Sequence, residues 1–301
     1  MAMKFFKTEA KRNAERYIIN VKSFKSRTES KYPFVQRSDE ELRAYGICPC
    51  CLNPIQIIGV LKEIKVKPYG KHTGENVDGF PNWNYIKYKY CPFAVGKCVQ
   101  PRDNEPPLPI DDSVIELYEL LKTQFDRVIY LVERELHIRC TPAFWKTGLS
   151  VFVNSELYRY PWLTEANLPY VFAYFAMQQS NCIGQCFKRD TEIYKALEKY
   201  PNAKFVRTKS DNYDRLSNDG NFLRLHFRLT DHRYKAAEGE ILKESMKFCI
   251  DDIAQNSKTV FEQRIEFDET YFMNLINKSD NDDKRQQWLL DIASEIMTGV
   301  G

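Results

Sequence analysis

Glycine is scarce in this chain, 12 of 301 residues, and no internal repeat organises it, which excludes collagen-like and other Gly-rich repeat architectures. Long apolar runs are missing as well. The longest, around Leu168–Met177 and Val128–Val132, fall well short of the roughly 20 residues a membrane-spanning helix requires, so no membrane partner is expected. Met1-Ala2-Met3-Lys4 leads into charged residues instead of an apolar stretch ending in a small-residue cleavage site, so no secretory signal is expected there. Four motifs are absent too: Gly-x-x-x-x-Gly-Lys-Ser/Thr, Gly-x-Gly-x-x-Gly, Gly-x-Ser-x-Gly and His-Glu-x-x-His. A P-loop, a dinucleotide fold, a common serine hydrolase and a zinc metalloprotease therefore have no local support.

What is present is bulk and charge. Aromatic residues make up 14% of the chain, hydrophobic residues 43% and charged residues 28%, enough apolar material for one large core or two smaller ones. Nine cysteines, five of them between Cys48 and Cys98, fit metal ligation in a reducing compartment better than a disulfide framework, and a cytoplasmic location is expected. The net charge of +3 conceals an asymmetry: residues 1–100 hold 18 Lys and Arg against 9 Asp and Glu, whereas the remainder holds 26 against 32. A basic N-terminal third suits contact with a polyanion, or docking on an acidic partner within the same chain.

Patterning divides the chain similarly. Phe6, Ala10, Ala14, Tyr17, Ile18 and Val21 recur at helical spacing among basic residues, which predicts an amphipathic helix over Phe6–Phe24, followed by a polar connector, Lys25–Asp39. β-Branched and aromatic residues predict strands at Ile55–Leu61, Ile64–Val66 and Trp83–Tyr90, the arms of a long β-hairpin around the Gly/Pro-rich loop Pro68–Pro81. Pro101–Pro109 reads as a linker, giving domains 1–100 and 101–301. The second holds helices after Asp112 or Ser113, over Phe125–Ile138, from Thr164 through Phe172–Gln179 and over Thr191–Tyr200. Strands follow at Lys204–Arg207, Phe222–Leu229, Met246–Ile250 and Val260–Phe267, then a terminal amphipathic helix, Asp282–Met297. The fold class expected is α+β.

The strongest chemical signal is Cys48-Pro49-Cys50-Cys51, answered across the predicted hairpin by Cys91-Pro92 and Cys98. A tight turn with Cys at both ends delivers two thiolates to one side of a tetrahedral ion, and a returning hairpin closes the shell. In its Cys-Pro-x-Cys opening and second Cys-Pro, the stretch resembles a zinc ribbon over about residues 45–100, a module common in nucleic-acid-handling proteins. The resemblance implies a structural Zn²⁺ on Cys48, Cys51, Cys91 and Cys98, with His72 or Cys50 the alternative for one of them. The six residues between Cys91 and Cys98 require that loop to bulge.

Lysines and aromatic rings alternate around this motif. Lys65, Lys67, Lys71, Lys87 and Lys89 can neutralise phosphates while Trp83 stacks on bases, which suits single-stranded or distorted nucleic acid. The same pattern suits a half-buried hairpin with solvated lysines. A second class of function is a protein-interaction adaptor that docks a partner or another copy of itself through the zinc module and the strip Trp288, Leu289 and Ile292. The third is a Mg-dependent nuclease, for which Asp231, Glu238, Glu240, Lys243, Asp251 and Asp252 are the nearest carboxylate and lysine set. Arg224, His226 and Arg228 share a strand face, and Cys182 and Cys186 form a four-residue pair that reads as packed thiols or as a redox or second metal pair. His137 and His232 have no partner at ligand spacing. No catalytic residue is assigned.

Overall fold

A computed structural model describes residues 3–11, 14–38, 41–62, 64, 66–89, 91, 93, 107–178, 180–209, 212–218, 223–236, 242–278 and 285–299. Two compact units make up the chain, one of Met1–Leu108 with Ala236–Ile241 and one of Pro109–Lys235 with Leu242–Gly301. Among the described residues there are eight α-helices and four sheets, the paired strands running antiparallel, an α+β architecture.

In the first unit the order is β1 (Phe5–Phe6), β2 (Tyr17–Ile18), α1 (Val21–Thr28), β3 (Val35–Ser38), β4 (Glu41–Ile47), β5 (Pro54–Ile58), β6 (Tyr69–His72) and α2 (Tyr85–Lys89). Strands β3 to β6 form one antiparallel meander in chain order. The helix expected over Phe6–Phe24 does not form as one piece. Met3 and Lys7 exchange backbone hydrogen bonds with Gly70 and Ile47, which commits this segment to extended backbone. The helix starts only at Val21, where the Asn20 side chain accepts from the Ser23 N–H. The apolar residues still reach the core, but from separate elements: the Phe6 ring lies 5.7 Å from both Tyr17 and Phe24. Gly46 and Gly70 permit this crossing, since a Cβ at Gly46 would stand 3.0 Å from the Phe6 ring and one at Gly70 3.1 Å from Ile19. The expected connector Lys25–Asp39 contains the end of α1 and the edge strand β3.

The Trp83–Tyr90 strand is also corrected. Tyr85–Lys89 is helical, and the Asn84 side chain caps it by accepting from the Lys87 N–H at 3.0 Å. The aromatic residues that suggested a strand pack around His72 instead of alternating across a sheet. The strand that pairs with β5 is β6, Tyr69–His72, which lies within the segment expected as the loop Pro68–Pro81.

The second unit comprises α3 (Asp112–Leu136), β7 (Ile138–Arg139), α4 (Pro142–Asn154), α5 (Leu168–Ala176), β8 (Cys186–Lys188), α6 (Glu192–Glu198), β9 (Ala203–Arg207), β10 (Tyr213–Asn218), β11 (Leu225–Ala236), β12 (Leu242–Asp252), β13 (Lys258–Glu266), α7 (Glu269–Ile276) and α8 (Gln287–Ile296). Its sheets run β7-β8-β10-β9 and β11-β12-β13. Side-chain caps from Asp111, Thr141 and Thr191 start α3, α4 and α6, and Pro142 and Pro169 fall in first turns, where a missing N–H is harmless. The core joins α3, α4, α5 and α8, with Trp145, Phe152 and Phe172 fully buried. No helix among the described residues is long and apolar enough to cross a membrane.

Candidate metal centre

The site is built on a backbone knuckle. Beyond β4, the Cys48 N–H donates to the Asn53 carbonyl at 2.9 Å and the Leu52 N–H to the Cys48 carbonyl at 3.2 Å, so the chain turns back on itself within six residues. Leu52 takes the left-handed conformation this turn demands, with φ 59°. Strand β5 leaves the knuckle and β6 returns in a register that pairs Ile55 with His72, which brings His72 back to the hairpin's open end. Helix α2 then delivers Cys91, whose N–H donates to the Tyr88 carbonyl at 2.9 Å.

Cys48, Cys51, His72 and Cys91 therefore converge, all buried, with one ligand atom from each lying within 4.8 Å of the others. The Sγ atoms of Cys48 and Cys91 are 3.7 Å apart, and Cys51 Sγ is 3.2 Å from His72 Nε2. Three of the four cysteines expected as ligands are thus gathered, together with His72. Cys98 lies outside the described residues, and Cys50 is half-buried at the cluster's edge beside Cys91. The cluster is continuous with the first unit's core, where Cys48, Cys51 and Cys91 pack among Phe6, Ala44, Ile55 and Ile57.

Burial governs the charges here. It pushes the Cys48 and Cys91 thiols well above their ordinary range, because a thiolate in an apolar surround loses its hydration. Burial opposes ionisation of Cys51 as well, but hydrogen bonds with Cys48, Cys91 and His72, with the imidazole's charge, outweigh it and hold that thiol well below the usual range. The protein alone stabilises one thiolate, and further negative charge in this cluster calls for a cation. The other imidazole nitrogen, His72 Nδ1, is buried without a hydrogen-bond partner among the described residues.

Two asparagines brace the cluster. Asn53 Nδ2 donates to Cys51 Sγ at 3.4 Å and to the Asn84 carbonyl at 2.9 Å, while its Oδ1 accepts the Asn84 N–H at 2.7 Å. This reciprocal pairing ties the knuckle to the start of α2. Rings complete the wall: Tyr88 lies 5.0 Å from the His72 imidazole and Trp83 4.9 Å from Tyr88, with Tyr85 6.4 Å beyond.

Trp83 is half-buried in this ring cluster, whereas Tyr85 is 65% exposed and is the open ring at its end. Lys67, Lys71 and Lys89 are exposed, Lys87 is half-buried, and Lys65 lies outside the described residues. Sequence reasoning missed Asn53 and Asn84. The signal for the asparagines was their place at turn ends, beside a knuckle and before a short helix.

Elsewhere the candidate residues serve other contacts. Asp251 accepts from Arg228 and from Thr259, Asp252 from Tyr200 at 2.7 Å, and Asp231 from Arg233 and Arg264. Glu238 and Glu240 lie outside the described residues, as does the Lys243 side chain. On the face of Arg224, His226 and Arg228, it is thus Asp251 that takes the Arg228 guanidinium. His232 has a buried partner, Glu244, at 2.5 Å, and His137 ends α3 in a left-handed conformation. Cys182 is buried with its Sγ 3.0 Å from the Leu225 carbonyl, as a packed thiol. In α8, Leu289 is fully buried and Ile292 half-buried, which leaves Trp288 as the exposed member of the expected strip.

No protein-family model, no curated protein and no solved structure matches this chain.

Proposed function

We propose that the first unit is a zinc-stabilised module whose metal is structural and whose outer surface binds nucleic acid. Zn–S bonds of about 2.3 Å and Zn–N bonds of about 2.0 Å at tetrahedral angles require edges of about 3.8 Å between sulfurs and about 3.5 Å between sulfur and nitrogen. The 3.7 Å and 3.2 Å separations in the cluster are close to these edges. Three thiolates and one imidazole fill a tetrahedron, so no position remains for substrate or water, and the ion would contribute folding energy without Lewis-acid chemistry. The Cys48–Cys51 knuckle keeps its likeness to a zinc ribbon, with the β5–β6 hairpin and α2 supplying His72 and Cys91.

The observation that carries the nucleic-acid reading is the cluster of edge-on and tilted rings that starts on His72 and ends at exposed Tyr85, beside the lysines of α2. An open tyrosine offers a base a stacking surface, and Lys67, Lys71, Lys87 and Lys89 supply charge for phosphates. The adaptor reading loses its apolar strip to the burial of Leu289, and the nuclease reading loses Asp231, Asp251 and Asp252 to ion pairs and hydrogen bonds within the protein.

The test is a salt series of binding by the metal-replete protein to labelled single-stranded DNA and RNA. The expected result is an affinity that falls steeply with salt. Converting Lys87 and Lys89 to Gln should lower the slope of log K against log salt by about 1.4, at about 0.7 per phosphate contact, and Tyr85→Ala should weaken binding by about 1–3 kcal/mol. Unchanged binding by both variants rejects this surface.

A further inference from the structure

The first unit gathers one thiol more than a tetrahedral ion uses. Cys48, Cys51, His72 and Cys91 supply four donors within 4.8 Å of one another, and Cys50, in the middle of the same knuckle, is not one of them. Exposure sets it apart from the three thiols around it. Cys48, Cys51 and Cys91 are buried, whereas Cys50 is half-buried and packs on the outside of the core that they belong to. A small solute therefore meets Cys50 before it meets any of the other three.

The Cys50 thiol lies within hydrogen-bonding reach of the Cys91 sulfur. Its neighbours are not equivalent as bonding partners. Cys50 and Cys51 are joined by a trans peptide, which holds their Cα atoms about 3.8 Å apart, short of the separation of about 4.4 Å at which disulfides normally begin. Cys91 comes from a different element, beyond the end of α2, and is under no such restriction. An accessible thiol with a buried one beside it is the arrangement in which oxidation of the first is resolved by the second.

We propose that Cys50 is a peroxide-sensitive modification site that controls the metal: its oxidation and bonding to Cys91 take a ligand from the ion and release it. The release rests on the zinc reading above; the pairing of Cys50 with Cys91 does not. In the first step the Cys50 sulfur attacks one oxygen of hydrogen peroxide and the O–O bond breaks. The sulfur, oxidised by two electrons, becomes a sulfenic acid, and the other oxygen leaves as water. In the second step the Cys91 sulfur gives its electron pair to the Cys50 sulfur, the S–O bond breaks, and the departing hydroxide takes up a proton and leaves as a second water. One thiol, one thiolate, one peroxide and one proton thus give one disulfide and two waters. Cys48, Cys51 and His72 are left as donors, one short of a tetrahedral shell. Cys91 also joins α2 to the cluster, so the helix that carries Tyr85 loses its attachment to the ion in the same step.

The experiment loads the full-length protein with zinc, removes the excess and adds hydrogen peroxide in the presence of a zinc indicator, comparing the parent with Cys50→Ser. Circular dichroism checks that the variant folds. Differential alkylation before and after reduction, followed by peptide mapping, identifies the bonded pair in the parent, so that readout does not depend on the variant. The expected result is release of the bound zinc from the parent together with a Cys50–Cys91 bond, both reversed by dithiothreitol and added zinc. Cys50→Ser should start with the parent's zinc content and release it severalfold more slowly. Release from the variant at the parent's rate overturns the proposal, as does a bond from Cys50 to Cys98, or from Cys48 to Cys91, in the zinc-loaded parent. A folded variant isolated with less zinc than the parent also overturns it, since Cys50 would then be a ligand. A parent that takes up no zinc overturns the zinc reading and the release with it. A parent that takes up zinc but fails these tests leaves the zinc reading standing.

Discussion

Single side chains decide whether the proposed metal centre would hold together. Replacing Cys51 with Ser or His72 with Ala removes one of four donors, and either variant should be purified with less than one equivalent of zinc, as measured by a chromogenic chelator. Asn53→Ala keeps every donor but withdraws the N–H that reaches Cys51 and both bonds to Asn84. Such supporting contacts are typically worth about 10–100-fold in metal affinity, so competition against a chelator should show a loss in that range with unchanged stoichiometry. In the second unit, Glu133 accepts the Cys140 N–H at 2.9 Å and the Trp145 indole N–H at 3.0 Å, and burial lifts its carboxyl above the ordinary value. A carboxyl raised in the folded state binds its proton more tightly there than when unfolded. Its contribution is therefore greatest below the unfolded pKa and declines as pH rises through the folded one. Glu133→Gln retains an acceptor for both N–H groups, so stability measured by urea unfolding should fall less between acid and neutral pH than in the parent. At this scale the cysteines were legible because thiols at knuckle spacing have few other uses. His72 was visible only as an alternative, since nothing local distinguishes a ligand histidine from a packed one until the strand register is known.

Secondary structure was legible where a local device starts it. The clean alternation of Leu225, Phe227 and Leu229 in β11 needed no tertiary information, and α6 begins one residue after the expected start, Thr191 being its cap. Asp111, one residue ahead of the expected start, opens α3 by accepting the Val114 N–H. The N-terminal segment and α2 were misread for a common reason: apolar spacing over a few residues suits either period, and distant partners chose. Met3 and Lys7 found strand neighbours, while Tyr88 and Trp83 found an imidazole. A second tertiary tie at this scale is Asp126 in α3, fully buried, which accepts from Arg285 at 3.0 Å and from the Gln286 N–H at 3.0 Å where α8 begins. Asp126→Ala leaves the largely buried Arg285 guanidinium with only the neutral acceptors Gln124 and the Thr123 carbonyl and frees the start of α8. Loss of one partner from a buried ion pair should destabilise the unit by about 3 kcal/mol, read as a lower denaturation midpoint with little change in slope.

The chain divides into two compact units, and among the described residues the Cys48, Cys51, His72 and Cys91 cluster lies in the first. Chelation should therefore act unevenly. Hydrogen exchange measured with and without a strong chelator is expected to show lost protection in β4, β5 and β6, with α3, α4 and α5 unchanged. Uniform loss would mean that the two units unfold together. The α+β class could be read from the sequence because runs of helical and strand periodicity are segregated along it. The sheet β7-β8-β10-β9 could not, since its strands are scattered along the chain and only long-range pairing assembles them.

The 3.7 Å between the sulfurs of Cys48 and Cys91 has a consequence for handling the protein in air. If zinc is bound as proposed, both sulfurs are spoken for. Stripped of it, they form a neighbouring dithiol that dissolved oxygen can convert to a disulfide, two hydrogens lighter, and a linked pair no longer ligates as two thiolates. Metal loss would then be reversible under reductant and self-locking without it. Intact mass before and after aerobic chelation distinguishes the two states, and zinc uptake should return only once the bond is reduced.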